Sequence, residues 1–340
     1  MDVARRLQRV WYGGEAAPPW LSALVPVYRA LRALKLAPYR LGLRRATAIG
    51  VPLIVVGNLG LGGSGKTPLV IALVEALRKR GFTPGVVSRG HGGSEAGPLR
   101  VDDSADPACV GDEPCLIRRR TGAPVAIGRD RVAAARLLTG GDVDVIVADD
   151  GLQHTALGRD VEICVIDGER RFGNGRLLPA GPLREPSARL GTVDFRVCNG
   201  GLPQPGEIPM HLVDSMAVAL NDAAACVPLD DFIGRRVHAL AGIGDPQRFF
   251  SALRQRRIDI VPHAFPDHHP YRPHDLAFGD DLPVLMTEKD AVKCVRFAQP
   301  GWWCVPVRAQ LPEDFFDAVA RRCGLAINAP RQPRESGNPG

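Results

Sequence analysis

Gly60-Leu-Gly-Gly-Ser-Gly-Lys66-Thr67 fits the spacing G-x-x-x-x-G-K-[ST] and stands directly after an apolar, β-branched run at residues 51–57. A strand that ends in this loop and leads into a helix is the setting of a phosphate-binding loop. Gly60, Gly62, Gly63 and Gly65 leave the backbone bare, so successive N–H groups can point at a polyphosphate. Ser64 and Pro68 complete the loop, Lys66 offers a cation to the β/γ oxygens, and Thr67 offers a hydroxyl to Mg²⁺. The following helix adds the partial positive charge of its N-terminus. A purely structural glycine turn would account for the glycines but not for Lys66-Thr67 at this spacing.

A second apolar run, residues 143–148, ends in Asp149-Asp150. Beside a phosphate-binding loop, such acids complete the oxygen shell that a hard dication requires. Asp-Asp-Gly would also suit a surface turn. A GTPase would carry N-K-x-D or T-K-x-D, and neither string occurs; Thr287-Glu-Lys-Asp290 has its lysine one place too late. A GTP-dependent switch is therefore disfavoured.

The elements that must hold these groups are short apolar runs alternating with amphipathic stretches. Strands are predicted at 51–57, 84–88, 124–127, 143–148, 161–166 and 195–198, with helices at 68–80 and 129–138. Continuous apolar runs suit a parallel sheet covered on both faces. A second series has strands near 236–241, 258–264, 283–286 and 304–307, and helices near 246–256 and 312–322. The expected class is α/β: a P-loop NTPase-like parallel-sheet domain over 46–205, a smaller α/β domain over 206–325, and a disordered tail at 326–340. The Pro/Gly-rich stretch 200–209 is the expected boundary.

With 340 residues, 45% hydrophobic and 24% charged, the chain can bury a large core. Its eight cysteines form no C-x-x-C pair, which argues against zinc and fits free thiols in a reducing compartment. No run is long and apolar enough to span a membrane, and no cleavable signal precedes the fold. The net charge of +6 is local: residues 1–45 hold nine basic and two acidic residues, and the remainder is nearly neutral. A general nucleic-acid-binding surface is not indicated. In that segment Leu24, Val27, Tyr28, Leu31 and Leu34 recur at helical spacing, while Arg29, Arg32 and Lys35 fall away from the stripe. This pattern fits a peripheral membrane-seating helix; it equally fits a helix packed on the protein's own core with a solvated basic face. Pro26 breaks the pattern and puts the helix's continuity in question.

Further clusters exceed what a bare ATPase needs: Ser88-Arg-Gly-His-Gly-Gly93, Gly111-Asp-Glu-Pro114, Gly128-Arg-Asp-Arg131, Asn174 through Pro186, and Phe265-Pro-Asp-His-His269. Arg89, Arg129, Arg131 and Arg184 are candidate cations for aligning anionic groups. The cluster His263, His268, His269 and His274 matches no standard zinc spacing. Asp112 could serve as a helix N-cap before Glu113-Pro114.

Taken in order, G-G-S-G-K-T-P, S-R-G-x-G-G, G-D-E-P, D-D-G-L-Q-H, L-L-P-A-G-P-L-R-E-P, A-G-I-G-x-P-x-R-F-F, F-P-D-H-H and M-T-E-K-D-A-V-K closely resemble the tetraacyldisaccharide 4'-kinase family of lipid A synthesis, over about residues 10–320. The resemblance implies transfer of the ATP γ-phosphoryl group to the 4'-hydroxyl of an acylated glucosamine disaccharide 1-phosphate. It also implies Mg²⁺ and monotopic attachment to the cytoplasmic face of the inner membrane. By that resemblance Asp112 is the base, paired with His268 in preference to His269. Glu113, Arg184, Glu185 and, more weakly, Gln153 lie at the active site; Arg89, His91 and His269 join them as positioning candidates. Position 91 usually carries tyrosine in the family, so His91 leaves an aromatic or phenolic contact open. Two other classes remain in view: a kinase of a soluble metabolite, and a membrane-associated P-loop ATPase acting as a switch or maturation factor.

Overall fold

Strands without a polar face persist only where both sides are covered, and here helices cover both. The computed structural model describes residues 3–95, 97–222 and 224–326. The chain forms β1 (Leu53–Gly57), β2 (Pro84–Ser88), β3 (Leu99–Val101), β4 (Val125–Ile127), β5 (Val145–Asp149), β6 (Val161–Asp167), β7 (Phe195–Asn199) and β8 (Ile208–Val213). Then come β9 (Met216–Ala219), β10 (Cys226–Pro228), β11 (Arg236–Ala241), β12 (Asp259–Ala264), β13 (Val284–Thr287), β14 (Trp302–Val305) and β15 (Arg308–Gln310). The helices are α1 (Val3–Tyr12), α2 (Pro19–Arg40), α3 (Lys66–Lys79), α4 (Pro107–Val110), α5 (Asp112–Thr121), α6 (Arg131–Leu138), α7 (Pro246–Gln255), α8 (Glu288–Cys294) and α9 (Glu313–Arg322).

One sheet has the order β15-β8-β7-β6-β1-β5-β2-β4-β3, the other β10-β9-β14-β13-β11-β12. In the first, only the edge strands β3 and β15 run antiparallel to their neighbours. Alternation along the strands divides the core in two. Ile54, Val56, Val145 and Val147 face the cluster containing α3, α5 and α9, whereas Leu53, Val55, Ile146 and Ala148 face the cluster containing α6. Because β1 lies between β5 and β6, their carboxyl ends open a crevice where ligands of such sheets bind.

The second unit differs from the expected 206–325 at both ends. β8 joins β7 in the first sheet, and the chain returns to that sheet through β15 and α9. Phe315, Phe316 and Val319 of α9 are buried in the first core. The apolar stripe of α9 finds its partner in α3 and not in the second sheet. The expected tail lies, apart from Ala326, outside the described residues.

α2 runs unbroken through Pro26. It does not rest on its apolar stripe. Leu24, Val27, Leu31 and Leu34 are exposed, whereas Leu21 is buried and Tyr28 and Arg32 turn toward the protein. The arrangement with a buried stripe and a solvated basic face is therefore overturned. No helix among the described residues is long and apolar enough to cross a membrane.

Candidate active site

The loop between β1 and α3 is shaped by backbone demands. Gly65 caps α3 at φ 92°, and a Cβ there would fall 2.4 Å from Asn199 Nδ2, which donates to Ser64 O. β5 pairs beside β1 with Val56 opposite Asp149, so both acids emerge next to the loop. Lys66 Nζ lies 3.4 Å from Asn58 Oδ1 and 3.8 Å from Asp150 Oδ1. Arg184 donates to both Asp150 oxygens, at 3.0 and 2.8 Å, and also to Asn58. Burial raises Asp150, but Lys66 and then Arg184 outweigh it and hold the carboxyl well below its usual range.

Asp149 behaves oppositely. It is buried and pushed up to about 7, first by desolvation and then by the charge of Glu113. Its Oδ1 and the buried Ser64 Oγ have no hydrogen-bond partner among the described residues. Orphaned oxygens at the mouth of a glycine loop fit a hard cation and phosphate oxygens, with Thr67 beside them at the start of α3. Thr67, Asp149 and Asp150 therefore suit Mg²⁺.

Beyond Arg184 the site opens into a groove of about 940 Å³ between α2 and the first sheet. Gln153 donates to Asn58 O and Glu185 Oε1, while Arg32 of α2 pairs with Glu185 Oε2 at 2.6 Å. Tyr28 donates to Arg184 O at 2.8 Å. The walls carry nine basic side chains, among them Arg32, Lys35, Arg89 and Arg184, against Glu162 and Glu185. Arg89 is exposed on this wall, and Arg129 is exposed without lining it. Arg131, expected among the anion-aligning cations, is instead buried and donates to Val87 O and Asp149 O. It ties together the ends of β2 and β5.

A second cluster joins the two sheets. Asp112 begins α5, with Gly111 at φ 92° as the N-cap; a Cβ on Gly111 would meet His91 O at 2.6 Å. His268, in the loop after β12, brings Nδ1 to 3.0 and 3.1 Å from the oxygens of Asp112. Burial raises Asp112, but the His268 hydrogen bond and the Lys289 and Lys293 charges leave it lowered. The same hydrogen bond raises His268. His91 sets its ring edge-on to His268 at 5.1 Å, so imidazole supplies the aromatic contact at this position. His269 is turned away: it lies 3.3 Å from Asp275 and packs against Phe265 and Tyr271. Its expected place at the substrate is thus corrected, because adjacent residues on this loop face opposite ways. Glu113 pairs with Lys289 at 3.2 Å.

The turn after β11 lies over the glycine loop, where a Cβ on Gly244 would be 3.6 Å from Gly63 N. Arg248 donates to Asp167 at 2.7 Å, and Arg170 pairs with Asp245. Tyr28 and Arg32 enter the site although the sequence marks them only as parts of the basic helix, and Asn58, Lys289 and Lys293 join it without having been candidates. The lysines stood in the quoted M-T-E-K-D-A-V-K string, four residues apart, which was the available signal.

A family model described as tetraacyldisaccharide-1-P 4'-kinase matches residues 17–324. A tetraacyldisaccharide 4'-kinase of Stenotrophomonas maltophilia (strain R551-3) is 51% identical over 322 residues, covering 92% of this chain and 95% of that relative. One from Xanthomonas euvesicatoria pv. vesicatoria (strain 85-10) is 52% identical over 326 residues, covering 92% and 94%. Among solved structures, "apo" form LpxK from Aquifex aeolicus in complex with ATP superposes with a TM-score of 0.73 at 28% identity, covering 88% of this chain and 98% of that one. With a match across nearly its whole length and both clusters of side chains in place, the chain belongs to the tetraacyldisaccharide-1-P 4'-kinase family.

Proposed function

We propose that this protein is a P-loop kinase that moves the γ-phosphoryl group of ATP to the 4'-hydroxyl of a tetraacylated glucosamine disaccharide 1-phosphate. The observation that carries the reading is the basic groove. It runs from the exposed apolar side of α2 to the Arg184–Asp150 pair beside Lys66, so a lipid's acyl chains and its sugar have surfaces of matching chemistry. Gly60, Gly62, Gly63, Ser64, Gly65 and Pro68 form the loop around the phosphates, and Lys66 neutralises the transferred group. Thr67, Asp149 and Asp150 would hold Mg²⁺, which would supply neutralisation of phosphate charge. Asp112 accepts the hydroxyl proton and shares it with His268 through Nδ1. Arg184, Gln153 and Glu185, braced by Tyr28 and Arg32, align the acceptor, with Arg89 and His91 at its margin.

The exposed Trp20, Leu24, Val27, Leu31 and Leu34, interleaved with basic residues, suit a helix lying in the headgroup boundary. Each basic side chain adds about 1 kcal/mol on an anionic surface. We therefore place the protein peripherally on the cytoplasmic face of the inner membrane. The two sheets are read as two domains, the first taking in β15 and α9.

The test incubates the protein with γ-labelled ATP, Mg²⁺ and the acylated disaccharide 1-phosphate, and then locates the label. Label on the 4' oxygen is expected. Nucleotide consumption with an unlabelled glycolipid would overturn the reading in favour of an ATPase. Equal turnover of a deacylated acceptor would favour a soluble metabolite kinase.

A further inference from the structure

The segment Thr287–Lys293 carries chemistry that phosphoryl transfer, as described so far, leaves unused. Thr287 ends β13 and caps α8, its Oγ1 accepting from Asp290 N and donating to Asp290 Oδ2 at 2.6 Å. Lys289 and Lys293, four residues apart, share one face of that helix, and the face meets the start of α5. Lys289 Nζ lies 4.0 Å from Asp112 Oδ2, 3.2 Å from Glu113 Oε1 and 3.0 Å from Asp267 Oδ1. Lys293 Nζ lies 3.8 Å from the same Asp112 Oδ2, 3.1 Å from Asp290 Oδ1, and 4.9 Å from the Tyr271 ring centroid. Asp290 is fully buried and also accepts from Gly242 N and the Tyr271 hydroxyl, so Lys293 forms an ion pair with a fixed carboxylate, although its Nζ has no hydrogen bond among the described residues.

Surface ion pairs rarely matter, but this cluster is not at the surface. Side-chain exposure is 17% for Lys289, 10% for Lys293 and 3% for Asp112. A carboxylate this deeply buried stays in place only with compensating cations. His268 Nδ1 reaches both oxygens, and the two ammonium groups converge on Oδ2 at 4.0 and 3.8 Å.

We propose that Lys289 and Lys293 are positioning residues for the transfer reaction: from α8 they pin Oδ2 of Asp112 and so keep that carboxylate aligned with His268. The second sheet thereby delivers the whole setting of the base, and not His268 alone. The proposal rests on Asp112 being the proton acceptor. Among the described residues, the groups acting on Asp112 are His268 from the loop after β12 and Lys289 and Lys293 from α8; Cys115 on its own helix feels its charge, Asp106, Arg119 and Arg296 line the same pocket, and Asp267 and His91 face His268.

The directions of the couplings make a sharp test. Both lysines lower Asp112, and Lys289 also lowers His268, which its bond to Asp112 raises. Removing the Lys289 charge while the pair stays intact must move both titrations upward. A collapsed pair would instead let His268 fall toward an ordinary imidazole value. The experiment uses the full chain carrying Lys289→Met, Lys293→Met or Lys289→Arg. It records kcat/KM for the acylated disaccharide against pH, KM for ATP, and the His268 titration by nitrogen-15 NMR.

We expect the acidic limb to move up by about one pH unit in each methionine variant, with activity at the foot of that limb falling about tenfold. KM for ATP should stay within about twofold. His268 should titrate higher in Lys289→Met, and Lys289→Arg should restore the wild-type limb. An unmoved limb, or a His268 titration that falls, overturns the proposal. Asp112→Asn separates the two levels: near-normal turnover there refutes the base reading itself, whereas lost turnover with unmoved limbs in the lysine variants refutes only the role of α8.

Discussion

Lys66, Asp149, Asp150 and Arg184 all project from one sheet and its loops, whereas Asp112 and His268 stand 156 residues apart and come from the faces of two. The proposed phosphate side is built by backbone: a glycine loop, a helix end and two parallel strands in register set it within the first sheet. The proposed base side is built by docking. Its carboxylate is buried against α8, and ion pairs across the junction, Arg120 with Glu288 and Lys289 with Glu113, hold the two units together. Local geometry is robust but fixed. Geometry made by docking depends on every contact at the junction, and that dependence gives the packing between the two sheets control over how Asp112 and His268 meet.

The comparison fails most visibly if Lys66 is dispensable. Lys66→Ala should lower kcat by about a thousandfold or more, because the γ-phosphate loses its cation; near-normal turnover would remove the loop from the chemistry. Asp112→Asn should cut kcat by about a hundredfold to ten-thousandfold while ATP affinity holds. The reverse pattern, weak ATP binding with intact kcat, would make the base side part of the phosphate side. Arg184→Ala sits between the two regions. It removes two hydrogen bonds from Asp150, and we expect about a tenfold to hundredfold loss of kcat, sharpened by a weaker Mg²⁺ dependence than wild type. Smallest in catalytic effect is Leu24→Glu with Leu34→Glu on the exposed side of α2, neither of which lines the groove. Turnover of a detergent-dispersed acceptor should stay within about twofold, while binding to anionic vesicles drops about tenfold or more. Unchanged vesicle sedimentation would dismiss the membrane-seating reading. These two positions are the better choice than deleting residues 1–45, since Tyr28 and Arg32 bond Arg184 and Glu185.

Legibility followed locality. β2 and β11 occupy the predicted residues, and most other strands differ by one to three, because continuous apolar runs bounded by Gly, Pro or Asp read the same in sequence and in space. The loop 60–67 and the strand ending at Asp149 were legible for the same reason. The choice of His268 over His269 came from resemblance, and only the turn at His268, with φ 61°, separates the two rings. Arg131 read like any other arginine; burial between two strand ends is not a property of its neighbours in sequence. Lys289 and Lys293 had the spacing of one helical face, but spacing does not name what that face meets.

The order of amino acids alone determined the glycine loop, its lysine and hydroxyl, the paired acids at a strand end, and the amphipathic basic helix, since each depends on backbone conformation and spacing within about a dozen residues. Tertiary structure alone decided that α9 packs on the first sheet, that α2 turns its apolar stripe outward, and that three cationic or titratable groups of the second sheet surround Asp112. Those outcomes are settled by which surfaces bury one another, and burial is a property of the whole folded chain and of no segment within it.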